Sequence, residues 1–65
     1  MTTEFQTRSE LTGINLYDSF NSALNAAEKD KTIWKISYTT PDTKERIRLI
    51  KTEHGWILET VFGVR

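Results

Sequence analysis

Few side chains of this sequence could take part in catalysis, and they do not form a recognisable set. His54 is the only imidazole, and no cysteine or serine in its local sequence is arranged as a nucleophile. It stands beside Gly55 in a predicted turn, where a histidine is most often a solvated residue. The sequence therefore predicts no catalytic role for this histidine.

Paired carboxylates are the second candidate for chemistry. A general acid and a general base must both reach one substrate. Asp42 and Glu53 belong to predicted turns at opposite ends of a sheet, and Glu59 is predicted to face Arg48. The four acids considered are therefore predicted to be ordinary solvated charges: Asp42, Glu45, Glu53 and Glu59. We predict that the protein has no catalytic residue and is not an enzyme.

Cofactor chemistry has little support in the composition. The chain has no cysteine and one histidine, which excludes a disulfide and nearly excludes a structural zinc site. Its three glycines, Gly13, Gly55 and Gly63, are isolated and do not form a phosphate-binding loop. We therefore expect neither a metal nor another cofactor.

Basic residues provide the third candidate. Lys35, Arg46 and Arg48 are predicted to share one sheet face, with Lys44 beside them in a loop. Basic side chains on an antiparallel sheet can enter the DNA major groove, where arginine contacts guanine edges and lysine contacts phosphates. Glu59 in the same row weighs against this interpretation, as do the equal numbers of acidic and basic residues, nine of each. Nucleic-acid binding is therefore the alternative function.

The apolar spacing in the first half of the chain predicts one helix. A helical stripe from residue 16 to residue 27 predicts a helix from Leu16 to Lys29, with Asn15 or Asp18 as its N-cap. The members of the stripe are Leu16, Phe20, Ala23, Leu24 and Ala27. Residues 1–12 show no sustained period and are predicted to form a flexible arm or an edge strand.

Beyond the helix the apolar period changes to two, which predicts three strands: Thr32 to Thr39, Lys44 to Lys51 and Trp56 to Phe62. Two four-residue turns join them, one over Pro41 and one ending at Gly55. The first turn places Thr39 opposite Lys44 and Ile36 opposite Ile47. The second places Lys51 opposite Trp56, Leu49 opposite Leu58 and Ile47 opposite Thr60.

The predicted fold class is α+β, with one amphipathic helix packed on a three-stranded antiparallel meander in the order α-β-β-β. The arm is an optional fourth edge strand, and residues 13–65 form a single small domain. At 65 residues, one core barely offsets the entropy of the chain. Because no disulfide is available, we expect self-association to support the fold.

The predicted registers divide the sheet into two faces. Trp34, Ile36 and Tyr38 face the helix, and their neighbours Ile33, Lys35 and Ser37 face away from it. The second face carries an apolar row, Ile33, Ile50 and Ile57, and no predicted helix covers it. The alternatives for this row are exposure to solvent and partial cover by the arm through Phe5 or Leu11.

From this face we predict a small non-catalytic accessory protein that binds a homodimer partner or another protein, either by stacking of sheet faces or by pairing of an edge strand. The predicted partner-binding residues are Ile33, Ile50, Ile57, Val61, Arg46, Arg48 and Glu59. The polar start and the lack of a long apolar run predict an intracellular protein without membrane contact. Its size would suit an accessory protein of a virus or mobile element.

Overall fold

The structure is a computed structural model that describes residues 3–61 of the chain. It contains five strands and one helix: β1 (Phe5–Ser9), β2 (Gly13–Tyr17), α1 (Phe20–Lys29), β3 (Ile33–Thr39), β4 (Arg46–Thr52) and β5 (Gly55–Val61). The strands form one antiparallel sheet in the order β2-β1-β3-β4-β5. The predicted three-stranded meander with an optional fourth edge strand is therefore wrong.

The N-terminal segment lies inside the sheet. β1 pairs with β2 on one side and with β3 on the other. Its inward positions carry Thr7 and Ser9, both buried, so the segment has no apolar alternation by which it could be recognised. Ser9 also closes the turn into β2, because its Oγ accepts the backbone N–H groups of Leu11 at 3.0 Å and Thr12 at 3.1 Å.

The helix begins later than predicted because its supposed first turn belongs to β2. α1 starts at Phe20 and not at Leu16, and it ends at Lys29. Its N-cap is Ser19, and not Asn15 or Asp18, because the Ser19 Oγ accepts the backbone N–H of Ser22 at 3.1 Å. Leu16 had been included in the helical stripe because it stands four residues before Phe20.

The core lies between α1 and β3. Four hydrophobic side chains are buried in it: Ala23, Ala27, Ile33 and Ile36. The two alanines have small side chains, which allows the helix to lie close to the sheet. A ring of partly buried residues surrounds them, namely Phe5, Tyr17, Phe20, Leu24, Ala26, Leu49 and Trp56.

An irregularity in the pairing of β1 with β3 explains why Ile33 is buried. Arg8 pairs with Lys35, but the next residue, Ser9, pairs with Ile33, so Trp34 is an extra residue. This β-bulge brings Ile33 to the helix side, where it is 2% exposed, and leaves Trp34 outside the core at 38% exposure. The prediction that Ile33 faces away from the helix is therefore wrong, because it assumed an unbroken period of two, and Trp34 is not part of the core.

The two hairpins of the second half differ in how well their registers were predicted. The β4–β5 pairing is confirmed, with Lys51 opposite Trp56 and Leu49 opposite Leu58. In the β3–β4 pairing Ile36 lies opposite Leu49, two residues from the predicted partner. The predicted faces survive this error because side chains alternate with a period of two.

The loop between β3 and β4 accounts for the shifted register. Thr39 pairs with Arg46, and not with Lys44, so the loop takes up residues 40–45. The Thr40 Oγ1 accepts the backbone N–H of Glu45 at 3.1 Å, and Lys44 adopts a φ of 61°. A side-chain hydrogen bond and a left-handed residue therefore lengthen the turn beyond the four residues expected around Pro41.

Replacement of Ile33 and Trp34 by alanine tests the bulge. We expect Ile33→Ala to lower the free energy of unfolding by about 2–5 kcal/mol, because it opens a cavity under α1. Trp34→Ala should change it by about 1 kcal/mol or less, because this ring lies outside the core. Urea denaturation of both variants measures the difference. A larger loss for Trp34→Ala than for Ile33→Ala would contradict the bulge.

Asp30 joins the end of α1 to the β1–β2 turn. Its carboxylate accepts hydrogen bonds from the Ser9 hydroxyl at 2.7 Å, the Thr12 hydroxyl at 3.2 Å and the Thr32 backbone N–H at 3.0 Å, and also from the Thr32 hydroxyl. These hydrogen bonds lower the pKa of Asp30 from 3.8 to about 2, and the bond from the Thr32 hydroxyl has the largest effect. The ionised form is therefore favoured in the folded state.

The lowered pKa of Asp30 predicts a specific acid sensitivity. Because the folded pKa lies below the unfolded value, the stabilisation is complete above about pH 4 and is lost as the pH falls towards about 2. Asp30→Asn should be less stable than the wild type at neutral pH and should lose less stability over that acid range. Thermal unfolding at a series of pH values measures both effects, with Glu28→Gln on the exposed side of α1 as the control. Equal pH dependence in the wild type and Asp30→Asn would contradict this role.

Candidate binding face

The sheet has one face that α1 does not cover, which we call the open face. Two rows of paired residues cross all five strands on this face. One row is Leu16, Gln6, Ser37, Arg48 and Glu59; the other is Ile14, Arg8, Lys35, Ile50 and Ile57. A shorter row pairs Thr39 and Arg46 with Val61 at one end of the sheet.

Most of the predicted partner-binding residues fall on this face. Ile50, Ile57, Arg46, Arg48 and Glu59 occupy it, and the backbone of Val61 pairs with that of Arg46. Ile33 does not belong to it, because the bulge places this residue in the core. The apolar row of three isoleucines is therefore reduced to Ile50 and Ile57.

The N-terminal hairpin adds three residues that the sequence analysis missed, namely Arg8, Ile14 and Leu16. Residues 1–12 are predicted as an arm or an edge strand and Leu16 as part of the helix, and Ile14 lies between these two predicted elements. The alternation of Ile14, Asn15, Leu16 and Tyr17 was the available signal for β2. Ile14 and Leu16 are both more than half exposed, so the apolar part of the open face extends to the β2 edge.

Four cations lie near one another on the open face: Arg8, Lys35, Arg46 and Arg48. Partial burial lowers the pKa of the Lys35 amine, and the charges of Arg8, Arg48 and Arg46 lower it further, while Glu59 acts in the opposite direction. The three guanidinium groups are therefore close enough to the Lys35 amine to disfavour its charged form. The centre of the open face therefore has a positive potential.

One cation of this group has an acidic partner. Arg48 Nη2 forms an ion pair with Glu59 Oε1, the only salt bridge within residues 3–61. The pair is partly exposed and is worth about 0.2–1 kcal/mol. Arg48 Nε is buried and has no hydrogen-bond partner in this part of the chain, so the guanidinium is only partly satisfied. The predicted pairing of Arg48 with Glu59 is confirmed.

Apolar side chains flank the cations on both sides. Ile14 and Leu16 lie on the β2 side, and Ile50 and Ile57 lie on the β4–β5 side, where Ile57 is more than half exposed. Trp34 stands next to the basic group, with the Lys35 Nζ 6.0 Å from its ring centroid. The open face thus consists of a basic centre between two apolar borders.

A shallow pocket of about 320 Å³ lies at one end of the open face. Gln6, Leu16 and Ser37 line it, and Glu4 and Arg46 are the only charged residues among its described walls. One carboxylate and one guanidinium do not form a nucleophile with its base, or a pair of acids.

The other residues considered for chemistry are dispersed. His54 is exposed in the turn between β4 and β5, where its backbone N–H donates to the Thr52 Oγ1 at 3.2 Å. Asp42 lies in the β3–β4 loop and Glu53 in the β4–β5 turn, at opposite ends of the sheet. Within residues 3–61, no group of three or more His, Cys, Asp or Glu side chains is placed to hold a metal ion.

Two further findings bear on the class of protein. In the described part of the chain no helix is long and apolar enough to cross a membrane, since α1 has only ten residues. No family model, curated protein or solved structure matches the chain.

Proposed function

We propose that this chain is a small non-catalytic interaction protein that buries its open face against a partner protein. The observation that supports this proposal is the combination, on one sheet face, of exposed isoleucine and leucine side chains with a cluster of cations. Exposed apolar area next to polar groups is typical of interaction sites. We further propose an intracellular setting, because secreted domains of this size generally depend on disulfides and this chain has no cysteine.

The charge of the open face favours an acidic partner over a second copy stacked on the same face. Stacking two copies would bring Arg8, Lys35 and Arg46 of one copy towards the same cations of the other. Glu59 is already engaged by Arg48 and could neutralise little of this repulsion. The best complement is therefore a surface with carboxylates at its centre and apolar side chains on its borders.

Charge reversal on the open face tests this proposal. Wild type and the double variant Arg8→Glu/Arg46→Glu are each expressed in cells and used to capture binding proteins. The double variant should fail to capture proteins that the wild type captures, because each change replaces attraction to an acidic partner by repulsion. Lys29→Glu/Lys31→Glu has the same change in net charge but lies at the end of α1, and it should retain them. A captured protein is then purified, and its affinity is measured by calorimetry at two salt concentrations, with weaker binding expected at higher salt.

The same measurement defines the contrary result. If a purified partner binds the wild type and Arg8→Glu/Arg46→Glu with equal affinity, the open face is not its docking surface. Leu16→Asn, which removes an exposed apolar group without changing the charge, should also weaken binding. A partner that is insensitive to both Leu16→Asn and the arginine changes would overturn the proposal.

Nucleic-acid binding is the second candidate, and Trp34 is the observation that favours it. The bulge leaves this ring exposed beside Lys35, and an aromatic ring next to a cation can stack on a base while the cation contacts a phosphate. The exposed Ile14, Leu16 and Ile57 weigh against it, because the borders of a nucleic-acid site are usually polar and basic.

Oligonucleotide binding at low salt tests the second candidate. If the open face binds a single strand, Trp34→Ala should weaken binding by about 1–3 kcal/mol through loss of stacking. Arg46→Ala should reduce the slope of log K against log salt by about one, and Lys29→Ala on α1 should leave it unchanged. Fluorescence anisotropy with labelled single- and double-stranded DNA and RNA measures both quantities. The absence of binding to all four probes at low salt would exclude this function.

A further inference from the structure

The outer edge of β5 is a second exposed surface, distinct from the open face. β5 pairs with β4 through an unbroken register from Gly55 to Val61 and forms one border of the sheet. On the opposite side it has no strand partner among the described residues. A strand in this position presents a row of backbone N–H and C=O groups that another strand can pair with.

β5 lacks the features that usually protect an edge strand. Its seven residues, GWILETV, include no proline, lysine or arginine, and its pairing with β4 contains no bulge. Its one charged residue, Glu59, is held by Arg48 on the neighbouring strand. The other border strand, β2, has five residues and lies next to α1, which packs Tyr17 against the core. β5 is therefore the less protected edge.

Two neighbouring apolar side chains of β5 are exposed, one on each face of the sheet. Ile57 is 55% exposed on the open face, and Leu58 is 62% exposed on the helix side. α1 lies over β1, β2 and β3 and does not extend over β5. An added strand would cover apolar surface on both sides at once.

We propose that β5 pairs antiparallel with β5 of a second copy, around a two-fold axis perpendicular to the sheet at Ile57. In this register Ile57 faces its own counterpart, and Trp56 faces Leu58, so that large apolar side chains meet across the axis. Glu59 lies opposite Gly55 and keeps its ion pair with Arg48. Centring the axis on Leu58 would place Ile57 opposite Glu59, and centring it on Glu59 would oppose two carboxylates.

The occupant is a second copy because this edge is complementary to itself and the fold has a small core. Only four hydrophobic side chains are buried among the described residues, and the chain has no cysteine for a disulfide. Chains of this size commonly gain stability by association. Since the axis is perpendicular to the sheet, the two open faces would lie on the same side of one continuous ten-stranded sheet, five strands from each copy.

Single cysteines test the pairing directly, because the chain contains no other thiol. Residues directly opposite in an antiparallel pair have Cβ atoms about 4.5–5.5 Å apart, close to the spacing of a disulfide. Ile57→Cys should therefore give a disulfide-linked dimer under mild oxidation, as seen on a non-reducing gel. Ile14→Cys, similarly exposed on the β2 border, should remain monomeric on the gel.

Sedimentation equilibrium gives the second measurement. The wild type should have twice the monomer mass, and Leu58→Lys should weaken the association by about tenfold or more, because lysine on an edge strand opposes pairing. Leu16→Lys is the matched control, since it adds the same charge at an equally exposed leucine on the other border. Circular dichroism of the three proteins verifies that each is folded.

Several results would overturn the proposal. A wild type that stays monomeric at every concentration would do so, as would equal cross-linking of Ile14→Cys and Ile57→Cys or equal dissociation by Leu16→Lys and Leu58→Lys. Arg8→Glu/Arg46→Glu should leave the dimer intact, because neither arginine lies on β5. A dimer that captures no acidic partner would therefore refute the proposed function and leave the β5 pairing standing.

Discussion

The packing of Ala23 and Ala27 of α1 on Ile33 and Ile36 of β3 is the contact on which the rest of this structure depends. Two alanines leave room for the sheet to approach the helix axis, and two isoleucines fill that space. Ile33 reaches it only because the bulge at Trp34 shifts the alternation of β3 by one residue. The bulge in β3 is therefore required for Ile33 to pack against α1.

A polar interior strand is the second unusual property of the molecule. β1 lies between β2 and β3 in the sheet, yet two of its inward side chains are Thr7 and Ser9. Ser9 is well satisfied, since it donates to Asp30 and accepts from the turn that follows it. The Thr7 Oγ1 has no hydrogen-bond partner among the described residues. The interior strand thus buries one hydroxyl that is fully hydrogen-bonded, that of Ser9, and one that has no partner among the described residues, that of Thr7.

The parts of the fold that local signals specify were predictable. The β4–β5 hairpin follows from Gly55 and a clean alternation, and its register is correct to the residue. The β3–β4 register was off by two, because the Thr40 side chain and the left-handed Lys44 lengthen a loop that Pro41 alone suggests is short. β1 was predicted only as an optional edge strand, because its buried residues Thr7 and Ser9 are polar and give no apolar alternation that would indicate an interior strand.

The candidate site was predictable to a similar degree. Arg46, Arg48, Ile50, Ile57 and Glu59 were placed together by the strand period and the second turn. The residues of the N-terminal hairpin on the open face could not be predicted from the sequence. The hairpin joins the sheet through the pairing of β1 with β3, and these two strands are far apart in the sequence. Ile33 was predicted on the wrong face because of the bulge. The bulge is visible only as a shift in the register between β1 and β3, which the sequence of β3 alone does not indicate. Sequence periodicity describes each strand well and the relation between distant strands poorly.

The position of β1 inside the sheet also bears on how the chain reaches its folded state. The β3, β4 and β5 strands are consecutive and joined by short connections, so their contacts form early at small entropic cost. The pairing of β1 with β3 brings together Ser9 and Ile33, which are 24 residues apart. We expect this longer loop to close more slowly than the short turns that join β3, β4 and β5. During synthesis the β1–β2 hairpin would leave the ribosome before β3, the strand with which β1 pairs. A protease that removed the first nine residues would therefore remove an interior strand and separate β2 from β3.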